Sequence, residues 1–337
     1  MLLPTLALGL FLPLQTSELG GTLIVCNQKA KSAFLIRLKD GKVARKIETG
    51  VGPHEAAVSP DGKTALVTNY GDRDNMGDSM LLIDVASGKP LKTISLGAYT
   101  RPHGVAFIGN GRAVVTSETT RNLVIVDLQA GKVERAMSTD APGSHMLALV
   151  PDGKTVYSAN IPVGTVTRFD VATGEKRGEA KVGKGSEGIG VSPDGKWVLT
   201  ANRGDGTVSL IETESMKTVA TAEAAGLPYR AAFSPDSRSV YVPNPDKGVV
   251  HIFEVGSMQK AKAILLAKGK VNIPILDGDH LMGAGISIHP SGRYAFVTVL
   301  NANGVAVVDL QREETVAFLS ADASPDGVAW SPVEVDN

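Results

Sequence analysis

Three histidines, His54, His103 and His145, recur at steps of 49 and 42 residues, and each begins an alternating apolar run. The same place in later segments is taken by Glu187, Tyr229, Ala284 and Asp326. Imidazoles and carboxylates exchange protons near neutrality and ligate divalent metals. If the chain gathers these positions, His103 with Glu118, or His145 with Glu187, forms a general-base pair, so these four are the catalytic candidates. No serine or cysteine stands in an identifiable nucleophile context.

The elements that must position them are repeats. One phrase, an alternating run closed by a turn of the type SPDG, occurs from Gly52, Arg101, Gly143, Gly185, Leu227, Met282 and Ser324. Its turn position falls at Pro60, Gly109, Pro151, Pro193, Pro235, Pro290 and Pro332, in steps of 49, 42, 42, 42, 55 and 42. After each turn a β-branched run ends near an Asn, and a second ends in Asp-Val or Asp-Leu before a Gly-containing turn. Four strands per repeat follow: A before the turn, B up to the Asn, C up to the Asp, and D. The N-terminus supplies B, C and D (from Gly21, Ala33 and Val43) without an A, and DGVAWSP near the C-terminus supplies an A alone. The expected fold is all-β, a seven-bladed β-propeller with four antiparallel strands per blade, its ring closed by pairing the last strand with the first three.

In such a ring the start of every A strand and the end of every B strand face one mouth of the central channel. With the last blade beside the first, Asp326, His54, His103, His145 and Glu187 form a contiguous arc, and Tyr229 and Arg230 continue it. Asn27, Asn69, Glu118, Asn160, Asn202, Asn244 and Val299 are expected as a second tier, with Glu118 in the place of an Asn. The expected ligand site is His54, His103, His145, Glu187, Tyr229, Arg230 and Asp326 with Asn69, Asn160 and Asn202. A divalent metal on His54, His103 and His145 requires all three rings to tilt toward the axis. An organic or anionic ligand held by the histidines, Arg230 and the Asn tier is the easier geometry. The alternative is structural: a Pro-His lead-in bonded to a neighbouring blade, and Asn closing a turn.

SPDGK, the Thr-Asn strand ending and Tyr241-Val-Pro-Asn244 resemble the YVTN-repeat β-propellers over residues 21 to 332. That resemblance implies relatives among surface-layer proteins, exported binding proteins and the d1-haem domain of nitrite reductases, and more distantly the lactonases on seven-bladed propellers. The resulting expectation is an exported propeller binding a small molecule or a protein partner at its mouth. A lactonase-like or metal-dependent hydrolase and a non-catalytic scaffold are the alternatives.

Composition agrees with a β protein: 43% hydrophobic and 20% charged, with 37 Gly and 18 Pro. A formal charge of −1 without a Lys/Arg run excludes nucleic acid or an anionic membrane reached by bulk electrostatics. The lone Cys26 excludes an internal disulfide. Residues 2 to 14 are apolar, of signal-peptide length and too Pro-broken to span a membrane. Residues 1–18 are thus read as a signal peptide or extension, 19–337 as one propeller domain, and the location as periplasmic or secreted. Three other motifs are weaker. Gly183 to Gly188 spells GxGxxG but leads into a strand. Asp277, Asp279 and His280 lie in the longest insertion, read as a lid or a solvated loop. Asp72, Asp74 and Asp78 lack the terminal Glu of a calcium loop.

Overall fold

In the computed structural model, which describes residues 19–269 and 271–336, the chain forms seven four-stranded antiparallel sheets. The signal-peptide reading of residues 1–18 lies outside the described residues. No described helix is long and apolar enough to cross a membrane. The blades are numbered from the first complete one. Blade 1 consists of strands A (Pro53–Val58), B (Thr64–Gly71), C (Met76–Asp84) and D (Pro90–Ser95). Blades 2 to 6 begin at Pro102, Ser144, Ser186, Ala232 and Gly283. Blade 7 joins Pro325–Ser331 to the three N-terminal strands, with Ile24 opposite Ala329 and Val25 opposite Val328.

Local chemistry explains the repeat. In the A-to-B turn the Ser59 hydroxyl donates to Asp61 (2.7 Å) and accepts the Thr64 amide (3.0 Å), while Gly62 takes a φ of 76°. In the C-to-D turn Asp84 accepts the Ser87 amide at 2.8 Å. Strands B and C are buried apolar ribbons, whereas D is largely exposed and forms the outer edge, as in Lys42–Glu48, where Ile47 alone is buried. The core is divided into seven clusters, each between two adjacent blades; Leu66 and Met80 of blade 1 pack with Val115 and Val124 of blade 2, for example.

The inner strand is irregular where it matters. In blade 1 Pro53 pairs with Asn69 but Ala56 with Val67, so His54 and Glu55 together oppose Thr68. This is a β-bulge, which bends the strand and re-aims side chains. Similar shifts occur in blades 2, 3, 4, 6 and 7, and in blade 5 the A strand shrinks to Ala232–Phe233. Inner strands approach so closely that a Cβ on Gly188 would lie 2.1 Å from the Tyr229 carbonyl oxygen of the next blade. Threonines on strand B pin the neighbour: Thr68, Thr116 and Thr298 donate to the backbone carbonyls of His103 (3.0 Å), His145 (2.7 Å) and Asp326 (2.7 Å).

Candidate ligand site in the central channel

The arc closes into a cluster. The His103 ring is fully buried between His54 and His145, at centroid distances of 3.9 and 3.7 Å. His54 Nδ1 lies 3.4 Å from Asp326 and 3.8 Å from Glu55. His145 lies 3.3 Å from Glu118 through Nδ1 and 3.6 Å from Glu187 through Nε2. Arg230 crosses the channel from blade 5: Nε and Nη2 donate to Glu55 Oε1 at 3.0 and 2.6 Å, and Nη1 donates to Glu187 at 3.3 Å. Arg203 also pairs with Glu187. Tyr70 stands edge-on to His54 and His103 and donates its hydroxyl to Glu118 at 2.8 Å.

Several buried atoms are left without a hydrogen-bond partner: Nδ1 of His54, both nitrogens of His103, Nε2 of His145, and one oxygen of Asp326. A buried polar atom without a partner is costly, so such a concentration makes this cluster the candidate site. One ligand atom each from His54, Glu55 and His103 lies within 4.8 Å of the others, a spacing suited to one metal ion.

The electrostatics is uneven. Burial, reinforced by the neighbouring imidazoles, lowers the His103 pKa well below its ordinary value, so this ring is neutral. Burial opposes charge on His145 too, but Glu118 and Glu187 outweigh it and raise that pKa. Burial likewise pushes Glu187 up, yet His145, Arg230 and Arg203 hold it at about 2. Asp326 moves the other way, raised by burial with Glu55 and Glu187 adding to the effect. Tyr70 is pushed up to about 12 by burial and Glu118.

The cytochrome D1 heme domain family model matches residues 111–330, more than half of the chain's 337 residues. The chain belongs to this family. Two solved structures resemble this cytochrome D1 heme domain family member in fold. Kuenenia stuttgartiensis hydrazine synthase is 19% identical, with a TM-score of 0.70 over 83% of this chain and 90% of that one. A functionally unknown protein from Desulfotomaculum acetoxidans DSM 771 is 18% identical, with a TM-score of 0.75 over 94% of this chain and 100% of that one. No curated protein matches.

The family name implies a heme, and the residues of this member do not fit one. A macrocycle bound through an imidazole nitrogen needs open, flat space at that nitrogen. Here both faces of His103 are covered by imidazoles and Arg230 spans the channel. The donor set of clustered imidazole and carboxylate suits a bare ion instead.

The expected site residues divide accordingly. His54, His103, His145, Glu187, Arg230 and Asp326 come together, and Tyr229 packs its ring 4.3 Å from the Arg230 guanidinium. The Asn tier does not join them. Asn160 donates to Thr165 and Thr167, Asn202 to Thr207 and Ser209, and Asn69 to Ser79, all within their own blades. Nor does Glu118 replace an Asn. The A-to-B turn of blade 2 is one residue shorter than that of blade 1, so Ser117, opposite Pro102, takes the Asn place. Glu118 belongs to the next position, shared with Tyr70 and Arg203, which sequence reasoning missed. Glu55 was missed too, because an alternating strand would turn it away from His54 and only the bulge brings it in.

Arg230 is also not a free ligand group, being held by Glu55 and Glu187. The Asp277 to His280 segment is pinned: His280 contacts the Pro245 carbonyl at 2.8 Å, and Asn301 donates to the His280 carbonyl at 2.8 Å. Asp72 accepts the backbone amides of Asp74 and Asn75, closing its own turn. Gly183 and Gly185 lead into the A strand Ser186–Val191.

Proposed function

We propose that this chain is an exported binding propeller whose channel holds one divalent transition-metal ion on His54, His103 and Glu55, with His145 completing the imidazole set. The observation that carries the reading is the stack of three imidazoles with four buried ring nitrogens that make no hydrogen bond, two of them, on His103, with no carboxylate among the described residues in ion-pair range either. Charge supports it. The carboxylates of Glu55, Glu118, Glu187 and Asp326 are in contact with only two guanidiniums, Arg230 and Arg203, and Arg101 lies farther off behind Tyr70. A dication offsets that excess, whereas without one the cluster must take up protons, as the raised pKa values of His145 and Asp326 reflect. The apolar residues 2 to 14 support export.

The test is elemental analysis after equilibrium dialysis of the full chain against zinc, copper or nickel. Wild type should retain about one ion, and His54→Ala/His103→Ala less than about a tenth of that. Circular dichroism must show the variant folded. Wild type that retains none of the three metals, or a folded variant that retains as much as wild type, sinks the proposal.

A further inference from the structure

A second site sits on the rim beside the histidine cluster. Blade 1 has the longest B and C strands, Thr64–Gly71 and Met76–Asp84, and their hairpin extends past the mouth as a wall. Between that wall and blade 7 lies a cavity of about 470 Å³, within the range of small-molecule pockets. Its lining carries four cations, Lys29, Lys31, Arg73 and Arg101, and one acid, Asp72. Asp72 is committed to its own turn, its Oδ1 accepting two backbone amides at 2.8 and 3.0 Å.

Among the described residues none of the four cations forms an ion pair. Other cations do, such as Lys46 on the outer edge of blade 7 with Asp322 at 2.6 Å, and Arg203 with Glu187. Arg101 is also pre-positioned. Its guanidinium lies 4.9 Å from the Tyr70 ring centroid and donates to the Asp72 carbonyl at 3.0 Å. Further N–H donors of its planar fork therefore remain for a carboxylate or phosphate. Tyr70, Val51 and Gly52 contribute a less polar surface.

We infer that this pocket binds a small organic polyanion, a molecule carrying two or more carboxylate or phosphate groups, against Arg101 and Tyr70 with Lys29, Lys31 and Arg73 around it. The site includes no histidine of the cluster and stands independently of the metal reading. Tyr70 is the partition between them, one face toward the pocket and its hydroxyl on Glu118.

The experiment is calorimetric titration of the full chain with citrate, inorganic pyrophosphate and benzene-1,3,5-tricarboxylate, with sucrose as the uncharged control, at low and moderate salt. At least one anion should bind with one-to-one stoichiometry, more weakly as salt rises, and sucrose should not. Lys31→Glu/Arg73→Glu should weaken that binding by about tenfold or more while leaving metal content unchanged. Carboxylate and phosphate sources are separated by which probe binds. Failure of all three anions at millimolar concentration, or equal binding by the charge-reversed variant, overturns the inference whatever the metal analysis gives.

Discussion

Two sets of polar residues stand at the channel end of most blades, and they differ in what their hydrogen-bonding atoms do. Asn202 donates to Thr207 at 3.1 Å and Ser209 at 2.9 Å and accepts from Thr200 at 3.0 Å. His103, equally buried, makes no hydrogen bond through either ring nitrogen. Both types recur with the repeat, so recurrence does not tell scaffold from site. Satisfaction does: a polar group whose partners lie in its own blade holds the blade, and one left unpartnered in the interior awaits something else.

The contrast breaks most visibly at Arg230, which satisfies two acids of the cluster at once. Arg230→Met leaves Glu55 without its guanidinium and Glu187 with Arg203 alone, both in a buried setting, and should cost about 3–5 kcal/mol by urea unfolding. A loss below about 1 kcal/mol would mean that water reaches these acids. Asn202→Ala tests the scaffold side. It should cost about 1–3 kcal/mol, because the buried Ser209 hydroxyl and the half-buried Thr207 hydroxyl lose a partner, while metal retention stays at the wild-type level. Altered retention would move the Asn tier into the site.

The smallest effect separates two imidazoles of opposite sign. His103, its pKa lowered in the folded chain, withdraws stability as pH falls below the ordinary imidazole value of about 6.5. His145, its pKa raised, contributes stability that is present below about 6.5 and lost as pH rises through its folded value. In the metal-free wild type these slopes oppose each other. Relative to it, His103→Asn should gain stability steadily as pH drops below about 6.5, by at most about 1.4 kcal/mol per pH unit. A flat difference curve from urea titrations at several pH values would show that His103 is not held neutral by burial.

The fold was legible because its information is periodic. Steps of 42 residues, turns built on Ser, Asp and Gly, and an unpaired strand at each end require seven blades and a shared closure. The arc was legible for the same reason, since one offset from the turn finds all its members. What escaped was every departure from period. The bulge that puts Glu55 beside His54 leaves no mark in an alternating run, and one residue fewer in the turn before Arg112 shifts Glu118 out of the Asn register. Arg230 read as a free cation because its acids lie on blades 1 and 4, far away in sequence. Only burial and distance show that they hold it.

The shared blade also bears on when the cluster exists. Asp326, 3.4 Å from His54, sits on Pro325–Ser331, the strand that zips onto the N-terminal ribbon to complete the circle. An unzipped chain carries all three imidazoles and Glu55 but lacks the nearer carboxylate beside the first. Occupancy of the channel is thereby tied to topology: the charge balance beside His54 depends on the closed seam, so a weakened hold on a captured ion would report a ring that has begun to open.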